Sequence, residues 1–288
     1  MGPEHHSRVA IVTDSTAALP PRVVAHYGIK VVPLQLHIGD RHTDEAHADP
    51  DEVARALHGD TPVTTSEPPS PEFFWTYSDA AYTGYREIVS LHISSRLSQT
   101  SHSAREAASR MRIPVHVVDS LTSGMSLGFL AVLATEAAMA GWSAAQIVRL
   151  LEERKAHGSQ MIYVDTLEHL RRGGRIGKAA ALLGSALSIK PLLELAEGEI
   201  VPLARVSGTQ RALARLVDVG VKLSDNRPVD AAVEYVDEPR RAEEVARQMR
   251  ARVPHLRRLV VTRASAVIAA HLGPGAVGLA VSPCGPGR

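Results

Sequence analysis

The sequence predicts an α/β fold, and three observations carry that reading. The chain opens on a β-branched run, Val9-Ala-Ile-Val-Thr13, followed by a polar turn, Asp14-Ser-Thr16, and a helical segment from Pro20 to Tyr27. The same order recurs centrally: Ile88-Val-Ser-Leu-His-Ile93 reads as a buried strand and Ser103-Ala-Arg-Glu-Ala-Ala-Ser-Arg-Met111 as a helix. A length of 288 residues with 44% hydrophobic composition suits one large α/β unit or two smaller ones.

The elements follow in order. Asp14 and Ser15 are read as caps rather than catalytic groups. Ile29 to Ile38 is a second strand region, with Pro33 marking an edge or an irregularity. His37, His42 and His47 stand among Asp40, Asp44, Glu45 and Asp49. Their five-residue spacing fits neither a strand nor a helical pair, so the segment is read as a solvated loop, not a metal site. A helix over Asp51–Leu57 follows, then a rigid hydroxyl-rich loop, Val63-Thr-Thr-Ser-Glu-Pro-Pro-Ser-Pro71. Phe73, Phe74, Trp75 and Tyr77 lie on the next helix, as an apolar wall beside that loop or as core.

Beyond the central helix, Val115 to Ser120 is a strand and Leu127 to Ala140 a long alanine-rich helix ended by Gly141. Ser143 caps a further helix through Lys155, with Ile147, Leu150 and Leu151 at helical spacing. A composition shift occurs near His157-Gly158. Met161–Val164 is a strand, and a helix starting at Leu167 is interrupted by Arg171-Arg-Gly-Gly-Arg-Ile-Gly-Lys178. That basic glycine turn is a solvated connection or a phosphate grip. It lacks a Walker ending, because Ala179 follows Lys178. Ile189–Leu195 and Glu199–Leu203 form a β-hairpin about Glu197-Gly198. A helix over Arg211–Leu223, a strand over Val229–Val236 and a helix over Glu243–Arg252 come next. The chain closes on a strand at Leu259 and a second glycine turn, with His271 just before Gly273-Pro-Gly275. His271 is either a buried core histidine or a ligand-facing one.

Composition narrows the function. A net charge of +1 gives no global attraction to nucleic acid or to an anionic membrane. One cysteine, Cys284, excludes an intramolecular disulfide and a cysteine zinc cluster and fits a reducing compartment. The first residues lack a signal-peptide core, and no apolar run reaches membrane-spanning length. A cytoplasmic protein without stable membrane insertion is expected.

The most informative stretch is the turn between the central strand and helix, where Ser94, Ser95, Ser98, Thr100 and Ser101 cluster without a glycine or carboxylate. A strand that feeds a hydroxyl-lined turn into a helix N-terminus makes an anion site, because unpaired N–H groups and the positive end of the helix converge there. Each serine alone reads as a cap; five hydroxyls exceed what one cap needs.

These segments together resemble the DegV family of bacterial fatty-acid-binding proteins. The resemblance runs from Val9 to Val281 through Val12-Thr-Asp-Ser-Thr16, Val32-Pro-Leu34, Thr64-Thr-Ser-Glu-Pro68, Ile93-Ser-Ser-Arg-Leu-Ser-Gln-Thr100 with Ser103-Ala104, and Val118-Asp-Ser120. It continues through Leu167-Glu-His-Leu-Arg-Arg-Gly-Gly-Arg-Ile176, Lys190-Pro191 and His271-Leu-Gly-Pro-Gly275. It implies two α/β domains, 8–157 with the carboxylate site and 158–284 closing over it, and a lipid tunnel between them. The implied ligand is one long-chain fatty acid such as palmitate, with no cofactor and no catalysis. The carboxylate would be held by Thr65 and Ser98, with Ser66, Ser94 and Ser95 lining the same pocket and Arg175 and His271 near the head group. The implied partner is a fatty acid kinase that phosphorylates the bound acid to an acyl-phosphate. Three departures from the family pattern stand out. Gln99 occupies a glycine position, Glu67 replaces a glutamine with an extra proline before Ser70, and Ser207-Gly-Thr-Gln-Arg211 replaces a basic stretch tied to the kinase. A side chain at Gln99 is expected to strain the backbone or to add a polar group beside the head.

The chemistry suits these residue types. Burying about fourteen methylenes at roughly 0.8 kcal/mol each yields about 11 kcal/mol gross, against roughly 1.5–3 kcal/mol for each hydrogen bond to the carboxylate. The tail dominates affinity and the head fixes orientation, with immobilisation offsetting part of the gain. The tail needs small, apolar linings, which alanine-rich helices such as Leu127–Ala140 can supply. Two rivals are a serine hydrolase or esterase, built on Ser98 or Ser94 with His271 and Asp14 or Asp119, and a phosphate binder built on Arg171–Lys178. No Gly-x-Ser-x-Gly elbow surrounds these serines.

Overall fold

The computed structural model describes residues 8–59, 61–184 and 188–284. The leader reading over residues 1–7 lies outside them. The first third of the chain supplies strands β1 (Val9–Asp14), β2 (Lys30–Val32), β3 (Gln35–Ile38), β4 (Arg41–Asp44), β5 (Val63–Ser66), β6 (Glu87–His92) and β7 (Val115–Asp119). Between them run helices α1 (Pro21–Tyr27), α2 (Pro50–His58), α3 (Ser70–Tyr82) and α4 (Thr100–Ala108). Helices α5 (Gly124–Met139) and α6 (Ala144–Arg154) lead to β8 (Ser159–Tyr163) and α7 (Glu168–Arg172). The remainder is β9 (Ile189–Ala196), β10 (Glu199–Ser207), α8 (Thr209–Ser224), β11 (Val229–Tyr235), α9 (Pro239–Arg252), β12 (Leu256–Arg263), α10 (Ala266–Leu272) and β13 (Val277–Pro283).

These strands form three sheets. The first is parallel throughout, in the order β2-β1-β6-β7. Its apolar runs are continuous because both faces are covered. Val9 and Ile11 face one core with Val89, Leu91 and α5, while Ala10 and Val12 face Phe73 and Tyr77 of α3 on the other side. Phe73 is therefore core to this sheet, which settles the two readings of the aromatic helix. The second sheet is mixed, in the order β10-β9-β8-β13-β11-β12, with only β11 and β12 parallel. Helices α8 and α9 pack on one of its faces.

Helix α5 lies between the two large sheets. Leu127, Leu130, Ala131 and Ala134 meet the first sheet, and Met125 meets Ala232 and Ala280 of the second. A helix that is apolar all round is a buried helix, and this one is buried by two partners at once. Helix α6 begins on the expected Ser143 cap, a complete capping box with Gln146.

The third sheet is small and antiparallel, in the order β4-β3-β5. Here the structure corrects the sequence. The segment read as a solvated histidine loop is a hairpin strand: His42 pairs with His37 across it, and their rings meet edge-on at 3.5 Å. Gly39, at φ 56, makes the two-residue turn. The segment read as a rigid loop begins as β5, paired with β3 from Val63 to Ser66. Both were hidden because strands of four residues with charged or hydroxyl side chains show no apolar alternation. The C-terminal end also differs: α10 precedes the glycine turn and β13 follows it, in the middle of the second sheet. No helix among the described residues is long and apolar enough to cross a membrane, and no group of His, Cys, Asp and Glu there could hold a metal ion.

Candidate functional site

A cavity lies where the small sheet, α10 and the inner face of the second sheet meet. Its wall is largely apolar, built from Leu34, Ile93, Leu97, Ile162, Leu195, Ile200, Val236, Val267, Ile268 and Leu272. A mostly apolar wall with a few convergent polar groups is the usual make-up of a small-molecule site. Thr65, Ser66, Ser98, Arg175 and His271 are among those polar groups.

Four segments distant in sequence bring them together. Thr65 comes from β5, whose pairing with β3 fixes its register opposite Leu36. Ser98 comes from the turn into α4, and its Oγ lies 2.8 Å from Thr100 Oγ1 and accepts from the Thr100 N–H at 3.3 Å. Arg175 follows the double glycine after α7. Its Nε donates to the Leu97 carbonyl at 3.0 Å and its Nη1 to the Gly173 carbonyl at 2.8 Å, so it ties the Ser98 turn to the glycine turn. His271 is at the end of α10, with Nε2 2.7 Å from Thr65 Oγ1. Ser66 is hydrogen-bonded to His37 Nε2 at 3.2 Å.

The basic glycine turn is thus a packing device. A Cβ on Gly173 would collide with the His271 ring, and one on Gly273 with the His169 ring, so α7 and α10 approach through two glycines. Burial pushes the His271 imidazole down to about 4, with the nearby Arg175 charge adding to the effect. At neutral pH the ring is uncharged, and its Nδ1 is buried without a partner among the described residues.

Several expectations are corrected. Ser94 and Ser95 do not line the cavity. The Ser94 hydroxyl donates to the Gly198 carbonyl at 2.8 Å and accepts from Arg96 N, and Ser95 is exposed. Of the five clustered hydroxyls only Ser98 reaches the wall; the others hold the turn or sit within α4. Helix α5 contributes nothing from Leu127 to Met139, because both large sheets already cover it. Gln99 costs the backbone nothing: its φ of −78 and ψ of 10 are open to any residue, and its side chain is exposed.

The hydrolase constellation is not assembled. His271 faces a threonine, and no carboxylate meets its Nδ1. Asp14 instead bonds His92 Nδ1 at 3.0 Å, and His92 Nε2 bonds Ser90 Oγ at 2.7 Å, in a chain sealed at 0% exposure. Asp119 accepts the Ser95 and Leu121 N–H groups. The sequence reading missed Ser123, Gln160 and Glu234, which also line the cavity. The one available signal was a glutamate inside the apolar strand Val229-Asp-Ala-Ala-Val-Glu-Tyr235.

Residues 8–283 match the sequence model of the DegV family of uncharacterised proteins. A DegV domain-containing protein of Streptomyces coelicolor is 46% identical over 275 residues, covering 95% of this chain and 98% of that one. The DegV protein of Bacillus subtilis is 33% identical, covering 94% and 98%. Its crystal structure, described as a fatty acid binding protein, superposes with a TM-score of 0.87 at 31% identity, over 97% of this chain and 100% of that one. A Thermus thermophilus DegV family structure, described by its fatty acid binding, superposes with a TM-score of 0.91 at 31% identity, over 96% and 100%.

Proposed function

The chain belongs to the DegV family, and from that premise we propose that it binds one long-chain fatty acid. The acyl chain fills the apolar cavity, and Thr65 and Ser98 hold the carboxylate. The observation that carries this reading is that two hydroxyls, a neutral histidine and an arginine line a largely apolar void, with Thr65 bonded to His271 and Arg175 tied to the turn that holds Ser98. The fatty acid binding described for the Bacillus and Thermus structures supports the ligand class.

The hydrogen bonds suit an anion. With its proton on Nε2, His271 donates to Thr65 Oγ1, which turns the threonine proton toward the cavity. With the Thr100 hydroxyl as the donor of their 2.8 Å hydrogen bond, Ser98 likewise has its own proton left for the ligand. Two neutral alcohols then face the carboxylate as donors, and the Arg175 charge, engaged only with carbonyls here, adds favourable potential. Binding needs no buried ion pair, and the apolar tail supplies most of the affinity.

In this reading residues 8–157 and 158–284 are two α/β domains and the cavity is their seam; its wall draws Thr65 and Ser98 from one and Arg175 and His271 from the other. The protein is a carrier, not a catalyst. It works in the cytoplasm and presents the acid to a fatty acid kinase for acyl-phosphate formation. Docking would differ from the usual family mode, since Ser207-Gly-Thr-Gln210 lacks the basic side chains of that stretch.

Native mass spectrometry of the purified full chain tests the reading. A mass increment that dissociates as a fatty acid is expected. A chain that arrives without lipid and takes up none from palmitate or oleate would end it.

A further inference from the structure

The cavity has a second polar group of residues, and it is unlike the first. Glu234 on β11 lines the wall beside Gln160, Ser123 and Gly278. The residue is 3% exposed. Oε2 accepts from the Met125 N–H, in the first turn of α5, at 3.1 Å and from Gln160 Nε2 at 2.9 Å. Oε1 is buried and has no partner among the described residues. Space is reserved for this side chain: a Cβ on Gly124, at φ 61, would stand 2.6 and 2.8 Å from its two oxygens. The Ser126 hydroxyl donates to Gln160 Oε1 at 3.0 Å, which fixes the amide so that its NH2 faces Glu234.

An unpartnered buried oxygen is costly, and an alkyl chain offers it nothing. We propose that Glu234, with Ser123 beside it, recognises an oxygen substituent on the acyl chain, so that the preferred ligand is a hydroxylated long-chain fatty acid. This rests on the fatty-acid reading above and adds to it the class of acid. Burial pushes the Glu234 carboxyl up to about 7, so that a substantial share of the molecules carries it as the neutral acid at neutral pH. With Oε2 taking two donors, the proton belongs on Oε1, where it is a donor awaiting an acceptor. A chain hydroxyl accepts that proton and gives its own to Ser123. The carboxylate end uses alcohols, which suit an anion; this end uses an acid, which repels one once ionised. The two ends therefore also fix which way the ligand lies.

The test is competition for the delipidated full chain between palmitic acid, ω-hydroxypalmitic acid and a hydroxystearic acid substituted at mid-chain. At least one hydroxy acid is expected to bind about tenfold more tightly than palmitic acid. Glu234→Leu should erase that preference while keeping palmitic acid bound, and Glu234→Gln, which retains a neutral donor, should keep it. Palmitic acid binding as well as or better than both hydroxy acids would overturn the proposal, with an ordered water as the partner of Oε1, and would leave fatty acid binding intact. Failure of all three acids to bind would instead remove the reading on which it rests. The wild-type comparison decides the matter even where the leucine variant fails to fold.

Discussion

His271 Nε2 and Thr65 Oγ1 lie 2.7 Å apart although 206 positions separate them in the chain. The contact joins the end of α10 to the small sheet at the edge of the cavity. With the imidazole proton on Nε2, the contact leaves Thr65 only one use for its own hydrogen. In the proposed site, His271 would thereby orient the Thr65 hydroxyl without itself having to touch the ligand.

Thr65→Ala and Ser98→Ala should each fold and each weaken fatty acid retention. A hydrogen bond to a charged group contributes roughly 1.5–3 kcal/mol, so affinity should fall about 10- to 100-fold per substitution. Lipid content by mass spectrometry after purification, with exchange rates, reads this directly. Unchanged occupancy and exchange in both variants would count against the assignment.

His271→Ala should spare lipid retention more than it spares phosphorylation by a kinase partner. The tail still fills the cavity, while the carboxylate loses the group that orients Thr65. Retained lipid and acyl-phosphate yield, measured on one preparation, separate the two effects. Equal loss of both in a folded protein would remove the distinction.

Two buried groups should give opposing pH dependence. His271 is held down to about 4 from 6.5, so the folded state binds fewer protons than the unfolded state between those values, and stability rises with pH across that window. Glu234 is pushed up to about 7 from 4.5, so its contribution is fully present below 4.5 and is lost as pH rises through 7. Each is on the order of 3 kcal/mol. Urea denaturation should show a shallow profile for the wild type, a fall in stability with rising pH in His271→Gln, and a rise in Glu234→Gln. Identical profiles in all three would contradict both shifts.

Gly173→Ala should be more damaging than an ordinary surface substitution, although its φ of −74 suits alanine. The added methyl enters the His271 ring, and the fit between α7 and α10 has to give. A loss of about 1–3 kcal/mol is expected, with faster lipid exchange. A variant matching the wild type in both would mean that the histidine moves freely.

Much of this arrangement was legible in the sequence, for physical reasons. Strands β1, β6 and β7 are apolar runs covered on both faces, and such runs announce themselves. Ser143 with Gln146 and the Glu197-Gly198 turn are local chemistry, readable without knowledge of the rest. Thr65, Ser98, Arg175 and His271 were named through a family resemblance, and the structure brings them to one cavity. Ser94 and Ser95 were misplaced because neighbours in a turn face different ways, and sequence proximity says nothing about direction. Glu234 and Gln160 escaped notice because each is a single polar residue in a strand, and only cross-strand register sets them together: Gln160 lies opposite Ala280, and Glu234 opposite Gly278. The small sheet was read only in part: β3 falls within the strand expected over Ile29–Ile38, while β4 and β5 escaped because they are short and polar.

Helix α5 has a consequence for how the molecule comes apart. Its apolar surface is shared between two sheets, and each fully buried leucine along it is worth roughly 1.5–3 kcal/mol. Neither half can melt first without stripping that helix for the other. Heating should produce one calorimetric peak whose van't Hoff and measured enthalpies agree, so that both ends of the chain share a single cooperative fate.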